Sequence, residues 1–275
     1  KRSDQMQQKL ITLDLDGTTL NNHSQLSPLT IKTLQKATRA GHLVSIVTGR
    51  PYRMARDIYD QLQLTTPMAN FNGALTHIPH QKWDGEYSMT INKAVVYDLM
   101  RHKDDYGIKL LAVENKHSFF ADHAAPATFD FFPHEISDDQ VLTEESLRGN
   151  PTSITILVEP NSAQFVKNQL LYHYRDYINV GVWGGPHSVL EIVSKGIQKA
   201  KAVDYLARYY HIDRQNIIAF GDEHNDAEML DYVGRGVAMR NATAQIKSIA
   251  NDITEFDNEH DGVAKYLSEY LDLAN

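Results

Sequence analysis

Apolar residues come in short runs separated by amphipathic stretches. Leu10-Ile11-Thr12-Leu13 is brief, apolar and β-favouring, the pattern of a buried strand. Leu43 to Val47 and Asn216 to Phe220 repeat it, and Val237-Ala238-Met239 is a shorter version. Between the first two runs, Ser27-Pro28 reads as a helix cap with proline at the first helical position. Leu29 to Ala40 then has helical spacing, and Gly41 ends it. Further helices are predicted over Pro51 to Leu64, Ile246 to Ala250 and Gly262 to Leu273, and Ile197, Ala200, Val203 and Leu206 form a helical stripe. Met68 to Phe71 runs into the turn Asn72-Gly73. The opening strand-helix-strand unit predicts parallel strands with a right-handed crossover, so their ends open on one edge of the sheet.

From about His77 to Ser194 the texture changes. Strands are predicted at Ser118 to Ala121, Ser153 to Val158 and Val189 to Val193, with helices at Lys93 to Tyr106 and Ser162 to Arg175. This predicts an α/β protein whose Rossmann-like, parallel-sheet core is interrupted by an inserted α+β domain. The expected boundaries are 1–80 for the first part of the core, 81–192 for the insert and 193–275 for the second part. No internal repeat is evident.

Composition narrows the function class. A chain of 275 residues suits two modest domains better than one core. Hydrophobic and charged contents of 42% and 23% are those of an ordinary soluble protein. The net charge of -8 argues against a nucleic-acid partner. An anionic substrate then needs a locally positive site or a bound cation. With no cysteine there is no disulfide framework and no thiolate chemistry. Lys1 to Lys9 is polar, unlike a secretory leader, and no apolar run has membrane-spanning length. The expectation is a cytoplasmic enzyme with no membrane partner, a monomer or small homo-oligomer.

The first strand leads into Asp14-Leu15-Asp16-Gly17-Thr18. Alternation in an extended chain points residues i and i+2 the same way, so Asp14 and Asp16 are expected to face one volume at the strand's end. Two carboxylates there repel unless a cation or shared proton is present. A plain turn or helix start also accounts for Asp-Gly-Thr. An EF-hand loop does not, because glycine falls at the fourth position and Gln25 at the twelfth. The second run ends at Thr48-Gly49-Arg50, where a hydroxyl and amides could meet an anion or simply cap a helix. Lys199 opens a helix, where a cation opposes the dipole unless an anion is near. The third run ends at Gly221-Asp222, again an acid at a strand end. His123, Asp130, His134 and Glu135 fit no standard zinc spacing, and His77 and His80 read the same way. Trp183-Gly184-Gly185-Pro186-His187 suits either a pocket lining or a tight hairpin.

Asp14-Leu15-Asp16-Gly17-Thr18 resembles the first motif of the haloacid dehalogenase (HAD) superfamily. Three more stretches match it in order: Ser45 to Arg50, Lys195 to Lys199, and Gly221 to Asp226. Thr48-Gly49-Arg50-Pro51-Tyr52, Asn72-Gly73-Ala74, Gly236 to Met239 with Asn241-Ala242, and Asp261-Gly262-Val263-Ala264 resemble its Cof-type sugar-phosphatase branch with a C2-type cap. The match covers the N-terminal quarter and C-terminal third. Ala200 and Arg240 stand where the family usually has glycine.

The resemblance implies a cap in the insert and a Mg²⁺-dependent phosphatase acting on small phosphorylated metabolites, sugar phosphates foremost. Asp14, Asp16 and Asp222 supply hard oxygen donors of the kind Mg²⁺ takes. By the resemblance, Asp14 is the nucleophile that forms an aspartyl-phosphate, and Asp16 protonates the leaving alcohol and then activates water. Mg²⁺ is held by Asp14, the Asp16 carbonyl and Asp222. Thr48, Gly49 and Lys199 bind phosphate, and Asn225 and Asp226 orient Asp222 or the metal's waters. Arg50, Trp183 and His187 are candidates for substrate selection. The alternatives are a phosphomutase of the same superfamily and a non-enzymatic phosphometabolite-binding regulator. Intact Asp14 and Asp16 argue against the regulator.

Overall fold

The computed structural model describes residues 7–273; residues 1–6 of the polar N-terminal segment lie outside them. The described residues form two compact units, one from 7–50, 54–87 and 198–273, the other from 51–53 and 88–197. Sequence texture places the insert's borders near 80 and 192. In the structure Tyr87 packs edge-on against Tyr205 at 4.9 Å, and the Tyr205 hydroxyl donates to the Gly85 carbonyl at 2.7 Å, which keeps residues 85–87 with the first unit. At the other border, Lys195 N donates to Tyr177 O and Asn179 Nδ2 to Ile197 O, holding 195–197 in the second.

In chain order come β1 (Leu10–Leu13), α1 (Pro28–Arg39), β2 (Leu43–Ile46), α2 (Tyr52–Gln61), β3 (Met68–Asn70), β4 (Leu75–His77) and β5 (Tyr87–Ser88), all of the first unit except Tyr52, Arg53 and Ser88. In α1 the Ser27 hydroxyl accepts from Thr30 N at 3.0 Å and Pro28 stands in the first turn, so cap and proline start the helix where the sequence marks it. Thr30, Thr33, Leu34 and Ala37 form its buried face.

The second unit contains α3 (Lys93–Arg101), β6 (Ile108–Glu114), β7 (Phe119–Ala121), β8 (Ser153–Val158), α4 (Ala163–Tyr174), β9 (Ile178–Val182) and β10 (Val189–Ser194). Its antiparallel sheet has the order β7-β6-β8-β10-β9. One face packs Ile154, Ile156 and Ile192 with Val96, Leu99, Val166 and Leu170 of the two helices. The other packs Leu110, Ala112 and Leu157 with Phe129 and Phe132 of the following loop. All six residues of β8, Ser153 and Thr155 included, are therefore buried.

The chain re-enters the first unit with α5 (Lys199–Tyr209), β11 (Ile217–Gly221), α6 (Ala227–Tyr232), β12 (Arg235–Ala238), α7 (Ala244–Ile249), β13 (Asp252–Ile253) and α8 (Gly262–Tyr270). Its main sheet is fully parallel in the order β13-β12-β11-β1-β2. Leu10 is in register with both Ile217 and Leu43. The chain steps from β1 to β2 on one side and from β11 to β12 and β13 on the other. The switch point lies between β1 and β11, where open α/β sheets hold ligands beyond their carboxyl ends. Asp14, Thr48 and Asp222 all follow strand ends on that edge. Among the described residues no helix is long and apolar enough to cross a membrane.

Candidate active site

The acids after β1 divide. Asp14 is 6% exposed, whereas the Asp16 side chain is 59% exposed. Strand alternation does not carry through to Asp16, because β1 stops at Leu13 and residues 15–19 coil into a turn closed by Leu20 N donating to Leu15 O. Thr19 Oγ1 donates to the Asp14 carbonyl at 2.7 Å and pins the start of that turn. Gly17 sits within it at φ +69°, and a Cβ there would come within 2.2 Å of Asp222 Oδ2. Both the left-handed backbone and the close approach require glycine.

Lys199 starts α5 with its side chain fully buried. Its ammonium donates to Asp14 Oδ1 at 2.6 Å and Asp226 Oδ1 at 2.7 Å. These anions answer the helix-dipole conflict seen in the sequence. Burial disfavours the ammonium, but the two carboxylates outweigh it and hold its pKa above the ordinary value. Asp226 in turn accepts through Oδ2 from Asp222 N at 2.9 Å and Glu223 N at 3.2 Å. Thr18 Oγ1 donates to Asp222 Oδ1 at 2.9 Å.

Asp14, Asp222 and Asp226 are all buried, and each offers an oxygen within 4.8 Å of the others. Burial, with Asp226 second, raises the Asp14 pKa to about 7 against the pull of Lys199. Burial, then Asp14 and Asp226, raises Asp222 to about 8. Three carboxylates facing one ammonium leave surplus negative charge, and hard oxygen donors so placed suit a divalent cation such as Mg²⁺.

Thr48 is buried, and its hydroxyl accepts from Arg50 N at 3.0 Å. A Cβ on Gly49 would meet Asn72 Oδ1 at 3.2 Å. Asn72 stands at φ +58° and accepts from Asn225 Nδ2 at 3.0 Å. Asn225 thus braces the turn after β3, while its neighbour Asp226 belongs to the buried carboxylate set. Arg50 Nε and Nη2 donate to the two oxygens of Asp16 at 2.8 and 2.5 Å. Arg240 donates from Nη1 to Glu255 O at 2.9 Å, and Ala200 is buried on α5.

In the second unit, Trp183 and His187 flank the link between β9 and β10. Trp183 Nε1 donates to Glu191 Oε2 at 3.4 Å, and His187 Nε2 lies 2.9 Å from Thr128 O. The histidines singled out in the sequence have acid or amide neighbours: His123 with Asp122, His134 with Asp130, His80 with Asp60, and His77 with Asn70. Sequence reasoning quoted Thr18, Asn72 and Asn241 within the motifs of the resemblance but gave none of them a role; Asn241 Nδ2 donates to Gly17 O at 2.7 Å. Thr18 was legible as a hydroxyl one residue after the glycine turn.

The model of the haloacid dehalogenase-like hydrolase family matches residues 11–267. The 5-amino-6-(5-phospho-D-ribitylamino)uracil phosphatase YitU of Bacillus subtilis is 37% identical over 96% of this chain and 98% of its own length. The pyridoxal phosphate phosphatase YbhA of Escherichia coli is 29% identical over 97% of this chain and 100% of its own. A haloacid dehalogenase-like hydrolase from Bacteroides thetaiotaomicron superposes with TM-score 0.81 at 23% identity, over 96% of this chain and 100% of that one, a likeness of fold. The chain belongs to the haloacid dehalogenase-like hydrolase family. Within it, the protein is a phosphatase.

Proposed function

We propose that this phosphatase hydrolyses phosphomonoesters of small polar metabolites, sugar and ribityl phosphates foremost, with Mg²⁺ as its cation and an aspartyl-phosphate formed on Asp14. The observation that carries the reading is the Asp14 carboxylate: buried, bonded to Lys199, and grouped with Asp222 and Asp226 at the switch point of the sheet. The relatives support the substrate class, one acting on a phosphorylated ribitylaminouracil and another on pyridoxal phosphate.

Mg²⁺ would be held by Asp14 and Asp222 with the Asp16 carbonyl, and would neutralise charge on the transferring phosphoryl group. Lys199 holds one oxygen of Asp14, leaving the other to attack phosphorus. As the phosphorus–oxygen bond of the ester breaks, Asp16 gives its proton to the leaving alcohol. Water then attacks the phosphoryl group on Asp14, Asp16 takes the water's proton, and the Asp14 oxygen leaves. The cycle consumes one water, and both acids return to their starting state. Thr48, the Gly49 amide and Lys199 steady the phosphoryl oxygens. Asp226 and Thr18 orient Asp222 through the hydrogen bonds described.

The test is phosphate release from a panel containing the ribitylaminouracil phosphate, pyridoxal phosphate and hexose phosphates. It is run with EDTA and with Mg²⁺, on wild type and Asp14→Asn. Mg²⁺-dependent release that Asp14→Asn lacks is expected. Equal release without metal would contradict the cation assignment. Sustained release by Asp14→Asn would contradict the nucleophile.

A further inference from the structure

We propose that Arg50 is a positioning residue for Asp16, aiming its carboxylate for proton transfer rather than binding substrate. The inference rests on the role given to Asp16 above.

The guanidinium makes a two-pronged contact, Nε to Asp16 Oδ2 at 2.8 Å and Nη2 to Asp16 Oδ1 at 2.5 Å. The planar fork matches a carboxylate and fixes its orientation as well as its distance. The two partners differ sharply in burial: the Arg50 side chain is 10% exposed and that of Asp16 is 59% exposed. Arg50 is therefore the anchored member. Nη2 also donates to Ser24 Oγ at 3.0 Å, and Nη1 to the Met54 carbonyl at 3.3 Å. Its main chain is tied as well, the amide donating to Thr48 Oγ1 at 3.0 Å and the carbonyl accepting from Asn70 Nδ2 at 3.0 Å.

An ordinary exposed ion pair holds two mobile side chains and contributes little. Here one partner is fixed at both its head group and its backbone. Asp16 has no comparable packing of its own, since it projects from a turn beyond the end of β1. Fixing such a side chain matters because proton transfer demands close alignment with the leaving oxygen. The two cations also sort the two acids. Lys199 is committed to Asp14, and Arg50 to Asp16. With Nε, Nη1 and Nη2 all engaged, Arg50 is poorly placed to recognise the body of a substrate, the part assigned to it from sequence.

A leaving-group comparison tests this. An alkyl phosphate from the productive panel needs a proton on its departing alcohol, whereas p-nitrophenyl phosphate departs without one. Arg50→Gln is expected to lower kcat/KM for the alkyl ester about ten- to a hundredfold and for p-nitrophenyl phosphate only a few-fold. Arg50→Lys keeps the charge without the fork and is expected to behave like Arg50→Gln. In the double variant Asp16→Asn/Arg50→Gln, the arginine change adds no further loss on the alkyl ester, as expected when two residues act through one group. Equal losses on both esters would make Arg50 structural and overturn the proposal. A rise in KM for both at unchanged kcat would make it a substrate contact, with the same consequence. Asp16→Asn alone separates the premise: if it shows no leaving-group selectivity, the role of Asp16 fails first.

Discussion

The Lys199 ammonium lies 2.6 Å from Asp14 Oδ1, joining residues 185 positions apart in the chain. The pair is buried, and Asp226 completes it on the other side. An uncompensated buried charge is costly, so removing the lysine strands two carboxylates. Lys199→Met, which keeps the side chain's length, is expected to reduce metal-free stability by about 3–5 kcal/mol. Urea unfolding in EDTA measures this; a loss below about 1 kcal/mol would mean that the ammonium contributes little to the fold.

The raised acids couple stability to pH. Asp14 moves from 3.8 to about 7 and Asp222 from 3.8 to about 8, each chiefly by burial. The folded state therefore keeps protons that the unfolded state releases near pH 4. For these groups stability is greatest at low pH. It falls as pH rises from about 4 to about 8, then levels off. A cation binds the ionised form, so the rise in Tm on adding Mg²⁺ to metal-free protein is expected to be larger at pH 8.5 than at pH 5.5. An equal rise at both values would contradict the shifts.

Gly17 tests the turn that separates the two acids. At φ +69°, and with Asp222 Oδ2 2.2 Å from the position of a Cβ, alanine must strain the backbone and displace the carboxylate. Gly17→Ala is expected to cost about 1–3 kcal/mol of stability. It is also expected to lower kcat more than its unfolding can explain at assay temperature. Thermal unfolding beside steady-state kinetics separates the two effects. A stable variant with full activity would mean that Asp222 tolerates displacement.

Thr18 offers a milder probe of the same carboxylate. Its hydroxyl donates to Asp222 Oδ1 at 2.9 Å, and Thr18→Val keeps the shape while leaving that oxygen short of a partner. The expected cost is about 1–3 kcal/mol, with a weaker apparent affinity for Mg²⁺ in activity titrations. An unchanged Mg²⁺ titration would remove Thr18 from the site.

Much of the site was legible because local chemistry marks it. Short apolar runs ending in Asp14, Thr48 and Asp222 signalled strands whose ends share an edge, and the parallel sheet places them so. Other features depend on where the chain folds back. Strand periodicity predicted that Asp16 would side with Asp14, but β1 ends one residue before Asp14 and the following turn sends Asp16 to Arg50. Asp226 was expected from the resemblance to orient Asp222 or the metal's waters; its bond to Lys199 and its place in the buried carboxylate set come only from the fold. In the second unit, Ile108–Glu114 escaped notice as a strand because six of its seven residues are buried, which erases the alternation that marks a half-exposed strand. Contacts of Tyr87 and Tyr205, which composition does not show, keep residues 85–87 with the first unit.

The central claim is the covalent phosphoryl-enzyme on Asp14. Asp16→Asn should slow the hydrolysis of that intermediate, since it removes the group proposed to activate water. Turnover of p-nitrophenyl phosphate by this variant in Mg²⁺ would be quenched in acid and the peptides mapped by mass spectrometry. The expected result is phosphate on the peptide carrying Asp14, specifically at that residue, with none in Asp14→Asn. Phosphate on any other residue, or sustained turnover by Asp14→Asn, would contradict the account.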